Sequence, residues 1–146
     1  MPIRHFPFYK VKKDRCSRPW LPIRLVNPDN GLDLITVGLI DTGADECSVP
    51  AAFAKKLGHN LTAVKPKLIT TASGIGRAYP HTTTIEIYDV SIKNVLHNIP
   101  NVTIDYTEDL HVVLLGMKNF LEHFVLEINY PKEVFSIRQP QLLHHQ

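Results

Sequence analysis

One stretch of the chain, Val37 to Pro50 (VGLIDTGADECSVP), runs from apolar residues directly into an acid, Asp41. Thr42, Gly43, Ala44 and a second acid, Asp45, follow. A carboxylate at the end of an apolar strand loses hydration as it is buried, so its presence there needs a reason. Such a group can exchange protons with a bound reactant. Thr42 adds a hydroxyl that both donates and accepts. Gly43 lets the backbone turn tightly and lets another backbone approach closely. Asp, Thr and Gly are also common turn residues, so the tripeptide alone leaves an ordinary turn open beside a reactive one.

Other chemistries find less support. Eight histidines invite a metal reading, but none falls in His-Glu-x-x-His spacing, and Cys16 and Cys47 lie far apart. No structural metal and no cofactor is expected; His144-His145 is at most an adventitious ligand pair. Cys47 has no histidine near it in sequence and reads as a small buried apolar residue rather than a nucleophile. The Gly-Ile-Gly of 74–76 precedes Arg77 and lacks the Gly-Lys-Ser/Thr of a phosphate loop.

The elements that must hold Asp41 are mostly strands. WLPIRLV and LDLITVGLI flank Pro28-Asp29-Asn30-Gly31, a dense turn signal, and predict a hairpin whose second arm ends at Asp41. VPAAFAKKLGHN predicts a short helix, with Pro50 in its first turn and Gly58 and Asn60 at its end. β-Branched runs on both sides of SGIG predict a second hairpin with its tip near Gly74 and Gly76. Further strands are expected after it, broken by turns at Lys93-Asn94 and Pro100. LHVVLLG reads as a buried strand, MKNFLEHF as about two turns of helix, and VLEINYPKEVFSI as a final hairpin around 129–132. The expected class is all-β, mostly β with two short helices.

Three features now stand in order: Asp-Thr-Gly-Ala after an apolar strand, the hairpin tip ASGIGRAY, and VVLLGMKNFLEHF with its Leu114-Leu115-Gly116. Together they resemble a retropepsin-like aspartic protease across roughly Trp20 to Ile137, and the expected helix after Gly116 is more similar to cellular and bacterial members than to the compact retroviral ones. The resemblance implies a closed β-barrel-like acid protease fold with one lobe per chain. It implies an aspartic endopeptidase in which two carboxylates share a proton around a water, a splitting of titrations general to this enzyme class. One chain of 146 residues supplies one Asp-Thr-Gly, so the implied assembly is a homodimer with Asp41 of each subunit on the two-fold axis. Asp41, Thr42 and Gly43 are the implied catalytic loop. Ala44, Asp45, Ser73, Gly74, Ile75 and Gly76 are implied substrate contacts, the last four in a flap, and Leu114, Leu115 and Gly116 the implied support behind the loop. The retroviral members carry an arginine directly after that glycine, where it ties the dimer together; this chain has Met117, then Lys118. In those relatives the termini interleave at the dimer interface, a role Leu142-Leu143 could serve.

Composition frames these expectations. Hydrophobic content of 44% against 21% charged is globular. No apolar run reaches the roughly 18 residues of a membrane helix, and the N-terminus lacks the apolar core of a signal peptide, so no membrane partner is expected. Two cysteines suggest no disulfide framework and a reduced, cytoplasmic setting. Residues 1–18 hold six Lys/Arg and one acid, a charge of +5 within a net +2, so the remainder carries −3. This arm reads as a solvated terminus, and nucleic acid is not an expected partner. The expected organisation is a basic arm over 1–19, the protease domain over 20–138 and a tail over 139–146. Two alternatives to peptidase activity remain: a retropepsin-like module that binds peptide or protein or dimerises without turnover, and an unrelated β-rich binding module with a basic arm.

Overall fold

A computed structural model describes residues 1–11, 13–71 and 73–141. Lys12 of the basic arm, Ala72 of the hairpin tip, and Leu142, Leu143, His144 and His145 lie outside the described residues, and with them the tail's expected roles. Strand accounts for 54% of the structure and helix for 7%, as an all-β chain requires.

The strands are β1 (Ile3–Pro7), β2 (Trp20–Val26), β3 (Asp33–Ile40), β4 (Ser48–Pro50), β5 (Lys67–Thr71), β6 (Gly74–Asp89), β7 (Asn94–Thr107), β8 (Val113–Leu115), β9 (Val125–Asn129) and β10 (Val134–Arg138). The larger sheet runs β2-β3-β8-β4-β7-β6-β5, and β2 also pairs with β6, which closes six strands into a barrel and leaves β5 outside the ring. Full closure removes the unpaired edges that an open sheet would expose. At the closing seam Arg24 pairs with Glu86 at 2.6 Å and with Asp33 of the neighbouring strand at 2.7 Å. Alternation along β2 sends Leu21, Ile23 and Leu25 inward, all at 0% exposure, where they meet Ile85, Ile87, Ile104, Tyr106 and Leu115.

The first predicted hairpin is present, β2 against β3 from Trp20↔Leu39 to Val26↔Asp33. Asn27 anchors its turn from within: its Oδ1 accepts the Asp29 N–H, and its Nδ2 donates to the Leu57 carbonyl, which also accepts from Asn30. That carbonyl ends the short helix α1 (Phe53–Lys56), one turn long, and Gly58 leaves it at φ +70 as a helix-terminating glycine does. Pro50 is not in the helix. It closes β4 and pairs with Thr107, where strand geometry suits its fixed φ.

Two further expectations change. Pro100 does not break a strand, because β7 runs through it. The register slips between Thr83 and Ile85, and Asn101 takes φ +52, so Pro100 sits at a bulge where its missing N–H costs no ladder bond. The second expected helix is a single 3-10 turn, Leu121–His123. Asn119 at φ +70, and the bonding of Lys118 to the loop after Asp41, stop a helix from starting at Met117.

The 1–19 segment, expected as a solvated arm, is partly built into the fold. β1 pairs with β10, which pairs with β9, forming a second three-stranded sheet. Phe6 and Phe8 pack on Phe135 with centroids 5.4 and 6.4 Å apart. β1 therefore finds its partner in the same chain.

Candidate active site

β8 lies beside both β3 and β4, parallel to the first (Gly38↔Val113 to Ile40↔Leu115) and touching the second at Ser48↔Leu114. The chain between β3 and β4, residues 41–47, must therefore loop around the end of β8. Backbone bonds fasten it there. Asp41 N–H donates to the Leu115 carbonyl at 3.1 Å, Met117 N–H to Ala44 at 2.9 Å, and Lys118 N–H to Asp45 at 2.8 Å. Within the loop, the Asp41 Oδ1 accepts the Gly43 N–H at 3.0 Å and the Asp41 carbonyl accepts the Ala44 N–H at 3.2 Å. Asp41 is half-buried, while Thr42 and Gly43 are exposed. The strand thus delivers a carboxylate to an accessible loop and not into the core.

Gly116 is what allows this approach. A Cβ there would stand 2.7 Å from the Ala44 carbonyl oxygen and closer still to that of Glu46. Leu115 is fully buried and Leu114 half-buried, so the pair forms an inner wall and a flank behind the loop.

The flap-like hairpin is also present, although its tip lies slightly earlier than expected. Thr71 pairs with Gly74, so strand pairing already begins at Gly74; Ile75 and Gly76 are strand residues opposite Thr70 and Ile69. Thr71 Oγ1 accepts the Ser73 N–H and donates to the Gly74 carbonyl, and Gly74 at φ +119 completes the turn. Ile75 and Leu68 are 79% and 72% exposed, an apolar surface on a projecting arm.

Between this arm and the loop lies a groove of about 730 Å³, lined by Ala44, Asp45 and Glu46 of the loop, Ile69 and Thr70 of β5, and Ser48, Asp105, Met117, Lys118 and Glu122. A second concavity, about 560 Å³, brings Asp41 and Thr42 together with Cys16, Arg18, Phe8 and Tyr130. The structure thus gathers Asp41 to Asp45 with Gly116 and places β5 across the groove. Ser73 to Gly76 do not line either concavity.

Sequence reasoning assigned no role to Lys67, Asp105 or Glu46. Lys67 Nζ lies 2.8 Å from Glu46 Oε2 and 3.0 Å from Asp105 Oδ2. Burial pushes the Asp105 carboxyl upward while the Lys67 ammonium pulls it back; the Lys67 hydrogen bond holds Glu46 below its ordinary value. The available signal was an acid inside the apolar run Ile104-Asp105-Tyr106. Cys47 is buried behind the loop, with its Sγ 3.6 Å from the Lys118 carbonyl, and desolvation pushes its thiol up to about 11. That suits a packing residue and not a nucleophile. Among the described residues no group of three His, Cys, Asp or Glu is placed to hold a metal, and no helix is long and apolar enough to cross a membrane.

A solved structure shares this architecture. A retropepsin-like aspartic protease from Rickettsia conorii superposes with a TM-score of 0.63 at 25% identity, over 84% of this chain and 92% of that one. EIAV protease complexed with the inhibitor HBY-793 aligns at 19% identity and a TM-score of 0.45, over 73% and 88% of the two chains. No curated protein matches the sequence. Residues 35–123, from within β3 through the 3-10 turn, match the model of the family described as gag-polyprotein putative aspartyl protease. The chain belongs to that family of retropepsin-like aspartic proteases.

Proposed function

We propose that the protein is an aspartic endopeptidase that acts as a homodimer, with one Asp41 from each subunit forming the catalytic dyad. The observation that carries this reading is the half-site itself. A single Asp-Thr-Gly, in a barrel that forms one lobe, ends a strand with an accessible carboxylate pinned to the support segment. One such carboxylate cannot serve as acid and base at once, and a two-fold axis supplies the second.

In the proposed mechanism the two carboxylates hold one proton between them, since like charges at such close range cannot both ionise. The ionised member takes a proton from a water that attacks the peptide carbonyl, and the protonated member donates to the carbonyl oxygen. The tetrahedral intermediate collapses as the amine takes a proton and leaves. Thr42 braces the loop against its partner, and Gly43 borders the substrate main chain. Ala44 and Asp45 line the groove, with Asp45 accepting substrate N–H groups, while Ser73, Gly74, Ile75 and Gly76 cover the substrate from the flap.

The test is cleavage of a diverse peptide mixture between about pH 4 and 7, read as new termini by mass spectrometry, over a series of protein concentrations. Asp41→Asn runs beside the parent, because it removes both members of a symmetric dyad with little change of shape. Specific activity should rise with concentration as dimer forms and vanish in the variant. A folded dimer that cuts nothing would refute the peptidase reading in favour of a binding module. Equal cleavage by both proteins would assign the activity to a contaminant.

A further inference from the structure

Lys67 stands where the flap hairpin leaves the barrel. It pairs with Ala78, and Ala78 pairs onward with Thr107 of β7. Beyond that rung, Leu68 to Thr71 and Gly74 to Arg77 pair with each other, and among the described residues their one further backbone bond is at the root, where the Arg77 carbonyl accepts the Glu108 N–H at 3.0 Å. A two-stranded ribbon is marginal without further support, so its orientation depends on what holds its root. Among the described residues, Lys67 makes the hydrogen bonds and ion pairs that join a β5 side chain to anything beyond the hairpin.

Its two partners belong to different structures. Glu46 lies in the loop that begins at Asp41, and Asp105 is a wall residue of β7, paired with Ser48 and only 6% exposed. One ammonium therefore joins flap root, active-site loop and barrel wall. A lysine loses rotamer entropy when its stem is held, and an exposed pair barely offsets that loss. Here one acceptor is buried, and leaving it without a cation would strand a desolvated charge, which makes this contact stronger than a surface pair.

The geometry points to Lys67 as a latch that sets the angle of the flap over the groove, and so as a positioning residue for substrate binding. The groove between Ala44-Asp45 and Ile69-Thr70 has the Glu46–Lys67 pair at its edge. Losing the latch lowers the fraction of protein with the groove properly formed, and apparent affinity falls in proportion to that fraction. The kinetic part rests on the peptidase reading; the effect on the flap does not.

The experiment compares the parent protein, Lys67→Met, Lys67→Arg and Glu46→Gln by amide hydrogen exchange without substrate and by steady-state cleavage. In Lys67→Met, exchange over 68–71 and 74–77 should quicken about tenfold while the β2 core strand is unchanged. KM should rise about three- to tenfold with kcat within about twofold. Lys67→Arg should restore both, and Glu46→Gln, which keeps the Asp105 contact, should fall between and carries the test if Lys67→Met does not fold. Unchanged flap exchange would overturn the latch. So would equal quickening throughout the barrel, which marks a merely structural residue. If no protein cleaves peptide, the peptidase reading fails while the exchange pattern still decides the latch.

Discussion

Replacing Gly116 by alanine tests whether the active-site loop really depends on a bare backbone behind it. The added methyl would fall 2.7 Å from the Ala44 carbonyl oxygen, about 0.7 Å short of the 3.4 Å of ordinary contact, and nearer still to the Glu46 carbonyl. Both obstacles are backbone, so no side-chain rotation relieves them. Moving the loop stretches the bonds from Met117 N–H to Ala44 and from Lys118 N–H to Asp45. Overpacking together with two weakened backbone bonds should cost about 2 to 4 kcal/mol of stability. The same shift is passed to Asp41, which bonds to the Leu115 carbonyl one residue before Gly116. Under the proposed mechanism, displacing Asp41 by most of an ångström should lower kcat about a hundredfold. Denaturant unfolding at fixed protein concentration and peptide cleavage are the two assays. Gly76→Ala is the stability control, since its methyl would make only ordinary contacts, 3.6 Å from the Thr71 side chain and 3.8 Å from that of Ile69. Stability of Gly116→Ala within about 0.5 kcal/mol of the parent, or a larger loss in Gly76→Ala, would refute the reasoning.

Other predictions follow from the same structure. An alkylating reagent at about pH 8 should label exposed Cys16 in the native protein and leave Cys47 intact until unfolding, because burial raises the Cys47 thiol to about 11; mass spectrometry reads the two sites separately, and native labelling of Cys47 would contradict its packing. Burial first, and then His81, lower the pKa of His59 below 6.5, so the unfolded chain binds the extra proton more readily. Its contribution to stability is full above the unfolded value and is lost as pH falls through the window below about 6.5. His59→Gln should flatten the fall in urea midpoint between about pH 7.5 and 5, and an unchanged slope would locate the sensitivity elsewhere. Tyr106 and Thr83 share a buried hydroxyl bond of 2.8 Å. Tyr106→Phe should cost about 1 kcal/mol, because the Thr83 hydroxyl keeps only its longer bond to the His81 carbonyl at 3.4 Å, and combining it with Thr83→Val should cost less than the two single losses added.

Local pattern made much of this legible. Apolar runs separated by Pro-Asp-Asn-Gly and by a glycine-bearing tip specify hairpins, because alternation and turn residues act within a few positions of each other. Asp-Thr-Gly after LITVGLI located the loop, and Leu114-Leu115-Gly116 its support, for the same reason. The second helix misled because MKNFLEHF has helical spacing but is bonded elsewhere: Lys118 pairs with the Asp45 carbonyl and Asn119 turns left-handed. Pro100 misled because a bulge, formed only against β6, absorbs it. Residues 1–19 read as a solvated arm because the partner of β1 is β10, at the far end of the chain.

By itself, then, the sequence determined the all-β class, the hairpins, the family resemblance and the one acid worth testing, since each rests on residues close together along the chain. Tertiary structure alone decided that Gly116 must be bare, that β1 closes onto β10, and that Lys67 meets Glu46 and Asp105. Those facts arise where segments remote in sequence are brought within a few ångströms: strand pairing in the larger sheet does so for Gly116 and Lys67, and the separate three-stranded sheet does so for β1.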